Sequence, residues 1–511
     1  MLTGEASPPG SEPAGECCEA CAAASAAAHV TVPATDPTSD PTSAPAPTSG
    51  PAPSLSRFRG PLPVLGNPAR PGAGIGRSTD RRIAYGGLAL AAIYLGLAAA
   101  SLLLPPAIRL GTWLPAHLAL AGAAATAIAA ILPFFAAALA VAPPAPPAIR
   151  IGGIGLVAGG AVAAMTVVGH AAGEALPAAI AGGSFIAGIG LVAVAAFAPL
   201  RRGLGPRRRL VERAYAVALV NVGVGVTIAT FLVGGNDAVG AAWAFLKPAH
   251  AWLNLVGFVG LVVAASLLHL APSVAGTRMR PRRSAGVAVG GLAVGAPLVA
   301  AGYAIQVDLV ARVGAAAIIA GGLGVALHAL AVARDGAPGR WTTDPGWHRF
   351  TSGSLLAGQL WLGIGLLAAA APVLIGGADP MAWSLPSLVG PLVIGGVVQI
   401  LAGAMSHLLP AIGPGDPIRH AAQRHLLGRG ATPRLVLLNA GAALVTVGWL
   451  AAAIGMLAPA ADTLVGLGLA GAALGTGLSL ALLAIAAIRG REAQAERRRW
   501  LARRAPAEAE L

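Results

Sequence analysis

The stretch Ala249–Pro272 reads AHAWLNLVGFVGLVVAASLLHLAP. It carries no Asp, Glu, Lys or Arg, and as a helix it is long enough to cross a hydrocarbon core of about 30 Å. A histidine stands near each end, His250 and His269. At the helical rise the two imidazoles are about 28 Å apart. One helix therefore holds a nitrogen ligand near each membrane face, and the two cannot meet on one ion.

Apolar segments of similar length recur on both sides. Twelve are expected, over 83–104, 114–141, 151–170, 176–200, 214–234, 249–270, 285–305, 309–333, 355–375, 384–409, 435–457 and 463–488, with Pro133 expected to kink the second. Composition agrees, since 56% of the 511 residues are hydrophobic and only 11% charged, against about 25% charged in soluble proteins. The abundant alanine and 70 glycines suit helices packed through small residues. No succession of alternating ten-residue strands suggests an outer-membrane barrel. The fold expected is all-α, a polytopic transmembrane bundle.

The formal charge of +14 does not point to nucleic acid, because the basic residues fall in alternate connections. All 34 Lys and Arg except Arg109, Lys247 and Arg312 lie on one side of the twelve-span topology. Missing or inventing one helix would invert that bias downstream. The positive-inside rule then places both termini in the cytoplasm and the chain in the plasma membrane. Residues 1–80, rich in Pro, Ala, Ser and Thr, are expected to form a disordered cytoplasmic tail. The bundle covers 81–488, and 489–511 a basic tail able to lie as a helix on acidic lipid head groups.

This topology gives each histidine a depth. His117, His170 and His250 lie at the outer face. His269, His407, the deeper His328 and His348 lie toward the inner face, and His420 and His425 in a basic inner loop. Imidazole is the usual axial ligand of haem iron and a common ligand of copper. Bundles build such sites from facing helices, so the outer three form one candidate site. The alternative for each is an ordinary interfacial side chain. His269 and His407 share the pattern H-L-x-P at the ends of the sixth and tenth spans. They are either a second metal pair or a common device in which proline ends the helix.

Asn221, Asn254, Gln359, Gln399 and Asn439 lie inside spans, where interhelical hydrogen bonding accounts for them. Asp308 and Arg312, one turn apart, are expected to pair. No Asp or Glu lies deep in a span, which disfavours a proton- or sodium-coupled transporter. Cys17, Cys18 and Cys21 are close enough in sequence to bind copper(I) or zinc, but no second ligand pair accompanies them. No phosphate-binding loop, dinucleotide fingerprint or nucleophile elbow stands in a suitable context.

Four stretches carry a resemblance: Leu114–Ala123 (LPAHLALAGA), His250–Leu261 (HAWLNLVGFVGL), Gln399–Pro410 (QILAGAMSHLLP) and Val436–Gly441 (VLLNAG). Together they resemble an actinobacterial polytopic membrane module associated with multicopper oxidase and copper nitrite reductase proteins, itself distantly similar to subunit I of haem–copper oxidases. The resemblance implies a haem ligand at the start of the second span, matching His117, and a copper ligand at the start of the sixth, matching His250. The seventh span has no histidine pair, and the first half of the tenth lacks the haem ligands, so a complete oxygen-reducing centre is not expected.

The expected function is that of a haem- or copper-binding redox and electron-transfer module held by His117 and His250, with His170 beside them. Its partners would be membrane lipid and a separate cupredoxin, multicopper oxidase or cytochrome. The alternatives are a cofactor-free transporter or permease, and a non-catalytic partner in oxidase assembly.

Overall fold

A computed structural model of the chain describes residues 73–202, 209–278, 280, 282–336, 344–382, 389–412, 417–453 and 458–508, all within one unit, Arg70–Leu511. Every regular element among them is helical. Twelve helices are long and apolar enough to cross a membrane, making this an all-α polytopic bundle. They are α1 (Thr79–Ser101), α2 (Trp113–Ala140), α3 (Pro147–His170), α4 (Ala175–Arg202), α5 (Arg209–Val233) and α6 (Trp243–Val274), then α7 (Arg283–Ile305), α8 (Asp308–Asp335), α9 (Pro345–Gly376), α10 (Val389–Ala411), α11 (Ala431–Ala453) and α12 (Pro459–Arg489).

The spans are not equivalent. In α2, α6 and α10 the most apolar window is 67%, 72% and 83% buried, whereas in the other nine it is between 28% and 50% buried. The same three contain π-helical stretches, Leu118–Ala124, Trp252–Gly260 and Val389–Val398. Such wide turns are rare and concentrate at functional sites. The stretch in α2 touches those in both α6 and α10. Each of these central helices is followed by a tight hairpin, α3/α4, α7/α8 and α11/α12, with glycine at the crossings. A Cβ on Gly188 would lie 2.6 Å from the Val157 nitrogen, one on Gly314 2.5 Å from that of Val299, and one on Gly441 2.8 Å from that of Ala472. Small residues let the backbones approach. The chain thus repeats one four-helix plan three times, with its middle lined by every fourth helix from α2.

Two pieces fix the periphery. Arg150, buried near the start of α3, is ion-paired with Asp80 in α1, and Tyr94 donates to the Ala158 carbonyl at 2.7 Å. Asp308 and Arg312 pair at 3.9 Å, but both are exposed. Asp308 also accepts the Ala378 N–H at 3.0 Å, which ties α8 to the end of α9.

Several expectations change. Proline does not end α6 or α10: helix continues past Pro272 to Val274 and past Pro410 to Ile412. In α2, Pro133 lies inside continuous helix, and a π stretch that the sequence did not announce stands upstream of it. Helix is already formed at Ala73, inside the tail expected over 1–80. The rest of that tail, with Cys17, Cys18, Cys21 and His29, lies outside the described residues. At the other end, helix runs unbroken from Ala458 to Glu508, through the basic segment.

Candidate functional site

His117 is the last residue of the first turns of α2, directly before the π stretch. Its Nδ1 lies 2.8 Å from the Trp113 carbonyl one turn earlier, and the Trp113 ring stacks on it at 4.2 Å and 24°. A carbonyl oxygen can only accept, so in the neutral ring the proton sits on Nδ1. Nε2 then keeps the lone pair, with no hydrogen-bond partner among the described residues.

His250 arrives at the same state by a different route. It stands two residues before the π stretch of α6, and its Nδ1 lies 2.8 Å from the Gly225 carbonyl of α5. Again the carbonyl dictates that Nδ1 carries the proton. The Asn254 amide nitrogen is 3.0 Å from Nδ1 and 2.8 Å from the His250 carbonyl. Since Nδ1 is already donating, the amide bonds the carbonyl.

The α5–α6 crossing holds this arrangement with two asparagine–glycine pairs. A Cβ on Gly225 would lie 2.3 Å from the Asn254 amide nitrogen, and one on Gly257 2.7 Å from that of Asn221. Asn221 in turn donates to the Gly257 carbonyl at 3.0 Å. Each asparagine fits the space that a glycine on the other helix leaves, and each helix fixes the other's height. A hydrogen bond that sets the tautomer and orients the ring is what a metal-ligating histidine generally has on its second nitrogen.

The two imidazoles lie within electrostatic reach of each other, on helices whose π stretches are in contact. Each is half-buried. His170, the last residue of α3, is exposed. Among the described residues no three His, Cys, Asp or Glu side chains gather as a metal-ligand group. The outer three histidines thus resolve into a neighbouring pair, His117 and His250, and an exposed helix end.

At the opposite face His407 stacks on Trp347 of α9 at 5.3 Å and 16°. Trp347 meets His348 edge-on at 4.6 Å and donates its Nε1–H to the Ser406 carbonyl at 2.9 Å. Arg424 lies over the Trp347 ring at 5.5 Å and pairs with Asp344 at 2.9 Å. The histidines that act electrostatically on His407 are His348 and His420; His269 is not one of them. His269 and His407 do share a register, each the ninth residue beyond its π stretch. His420, in the helix Pro417–Leu427, has its pKa lowered first by burial and then by Arg424, with Asp344 opposing. His328 is buried in α8, and neither ring nitrogen has a hydrogen-bond partner among the described residues.

The span amides divide. Asn221 bonds across helices, and Asn439 accepts from Trp361 at 2.9 Å. Gln359 donates to its own helix at Leu355. Gln399 is fully buried, and neither amide atom has a hydrogen-bond partner among the described residues. Arg434, read from sequence as part of a basic loop, is 1% exposed, donates to the Leu427 and Gly430 carbonyls and lies 3.6 Å over Phe350.

Compared with models of known protein families and with characterised proteins, the chain matches none. Its functional reading rests on the geometry of these side chains within a multi-pass membrane bundle.

Proposed function

We propose that the chain is a redox module that holds a haem or copper ion through His117 and His250, and that it exchanges electrons with a separate cupredoxin, multicopper oxidase or cytochrome. The carrying observation is that both rings commit Nδ1–H to a backbone carbonyl, at 2.8 Å in each case. Both therefore keep an unprotonated Nε2 as the free ligand nitrogen. Interfacial histidines that only bond water need no such matched arrangement on two packed helices.

When bound, the ion supplies one-electron redox chemistry. The chain's own groups do the rest. The Gly225 carbonyl orients His250, the Trp113 carbonyl and ring orient His117, and the apolar walls of α2, α6 and α10 hold the site away from bulk water. With the basic connections in the cytoplasm of a plasma-membrane protein, the pair lies near the outer face, where a soluble electron carrier can reach it.

The test is the absorption spectrum and the metal content of the detergent-purified protein. A haem Soret band or bound copper, lost in both His117→Ala and His250→Ala and kept in His170→Ala, is the expected result. Protein with neither group, or with metal content untouched by both substitutions, removes the proposal.

A further inference from the structure

We infer that the first turn of α7 and the buried imidazole of His328 in α8 together bind an anionic phosphate group, at a site separate from the His117–His250 pair. Three glycines of α8 fix the register of this antiparallel hairpin. A Cβ on Gly314 would lie 2.5 Å from the Val299 nitrogen, one on Gly321 3.1 Å from that of Leu292, and one on Gly324 2.5 Å from that of Ala288. At 3.6 residues per turn all three lie within about 40° of His328 around the helix. His328 therefore stands on the face that meets α7. Four residues beyond the Gly324–Ala288 contact, that face comes level with Ser284, in the first turn of α7. Arg282, at the N-cap of α7, lies within electrostatic reach of the ring. The imidazole is 4% exposed, and neither of its nitrogens has a hydrogen-bond partner among the described residues.

The two sides of this contact need the same partner. The first N–H groups of a helix have no acceptor within it, and the Arg282 side chain caps none of those in α7. With the helix dipole behind them they favour an anion. An imidazole has at least one N–H to donate in either tautomer, and leaving it unbonded in a buried place is costly. Arg278, Arg280 and Arg283 are exposed beside the turn. Arg282 is ion-paired with Asp335 at the end of α8, so one carboxylate stands against four arginines. A phosphate group carries several acceptor oxygens. One oxygen seated on the turn accepts from the backbone N–H groups and the others from His328 and a guanidinium. Acidic lipid head groups and free phosphate both bring this group to a basic membrane face.

The test uses the full-length chain, purified in detergent and stripped of lipid. It is titrated with inorganic phosphate and, in a second arm, with micelles carrying phosphatidylglycerol, with phosphatidylcholine as the reference of no net charge. Arg282 has φ −122° and ψ 139°, the conformation preferred before proline, and proline is tolerated at the first helical position. Arg283→Pro thus removes an N–H and a charge, and Arg283→Gln the charge alone. One phosphate-bearing ligand per chain is expected. Its affinity should fall about tenfold in His328→Leu, as for a lost hydrogen bond to a charged group. It should fall further in Arg283→Pro than in Arg283→Gln, and stay unchanged in Arg201→Gln, in another basic connection. Saturation by phosphatidylglycerol alone assigns the group to a lipid and saturation by inorganic phosphate alone to a soluble ion; either upholds the site. No saturable binding in either arm overturns it, as does wild-type affinity in His328→Leu. Should that variant fail to fold, equal losses in the two Arg283 variants overturn it. A loss as large in Arg201→Gln would mark attraction to any basic surface and overturn it too.

Discussion

Gly225 shows how little separates a helix crossing from a ligand site. Its carbonyl accepts the His250 Nδ1–H, and its missing side chain is where the Asn254 amide sits. Gly225→Ala forces Asn254 aside and is expected to cost about 1–3 kcal/mol, the usual range for overpacking. His250 should then lose its single tautomer. Thermal unfolding in detergent and histidine ¹⁵N shifts read the two effects. Gly223→Ala, with nothing within 4 Å of the new methyl, should leave both unchanged or slightly raise stability. His420 supports a pH prediction. Its pKa is lowered in the fold, by burial first and Arg424 second, so the folded chain binds fewer protons than the unfolded one below the ordinary histidine value of 6.5. The stability that this group contributes is fully present above that value and is lost as pH falls from there toward the folded-state value. The melting temperature should therefore decline on acidification below about pH 6.5, and His420→Asn should flatten that decline; a decline of equal slope in the variant would assign it to other groups.

The π stretches set which way the two ligands face. Each wide turn absorbs one residue more than an α-helix needs and so keeps the helix before and after it in phase; adding one further residue in α geometry instead turns everything before it by about 100° relative to everything after. Inserting one alanine after Ala125, in the α-helix just beyond Leu118–Ala124, should swing His117 away from α6 while the bundle still inserts. Metal or haem retention should fall to the His117→Ala level with far-ultraviolet dichroism unchanged, and retention at the wild-type level would show that the direction of His117 on α2 does not decide binding. None of this was legible in the sequence. Apolar length announces a span, but composition does not distinguish a π turn from an α turn. Nor does an alanine- and glycine-rich helix show which side faces its neighbours, which is why His170 could be given a depth and not an azimuth. Arg434 escaped for another reason. A basic residue beside a basic loop reads as solvated, and only the fold shows it capping the carbonyls of Leu427 and Gly430.

At the scale of the whole molecule, the number of spans was legible because twelve apolar segments are separated by unmistakable breaks, and there are twelve such helices among the described residues. The pairing of His117 with His250 was legible only as a shared depth, from the basic residues in alternate loops. What the sequence could not convey is the repeated plan, in which every fourth helix moves to the centre and brings α2 against α6. That plan depends on contacts between residues more than a hundred positions apart. The functional account stands on it, because two imidazoles at one depth form a site only if their helices are neighbours. The most direct measurement is crosslinking of His117→Cys/His250→Cys in the chain lacking Cys17, Cys18 and Cys21, treated in membranes with a short thiol-specific bifunctional reagent and then cleaved by protease at a site engineered between α4 and α5. The account predicts that the two fragments stay joined, and that the His170→Cys/His250→Cys pair, treated alike, falls apart. Separation of the 117/250 fragments, under conditions where each cysteine alone reacts, would contradict it.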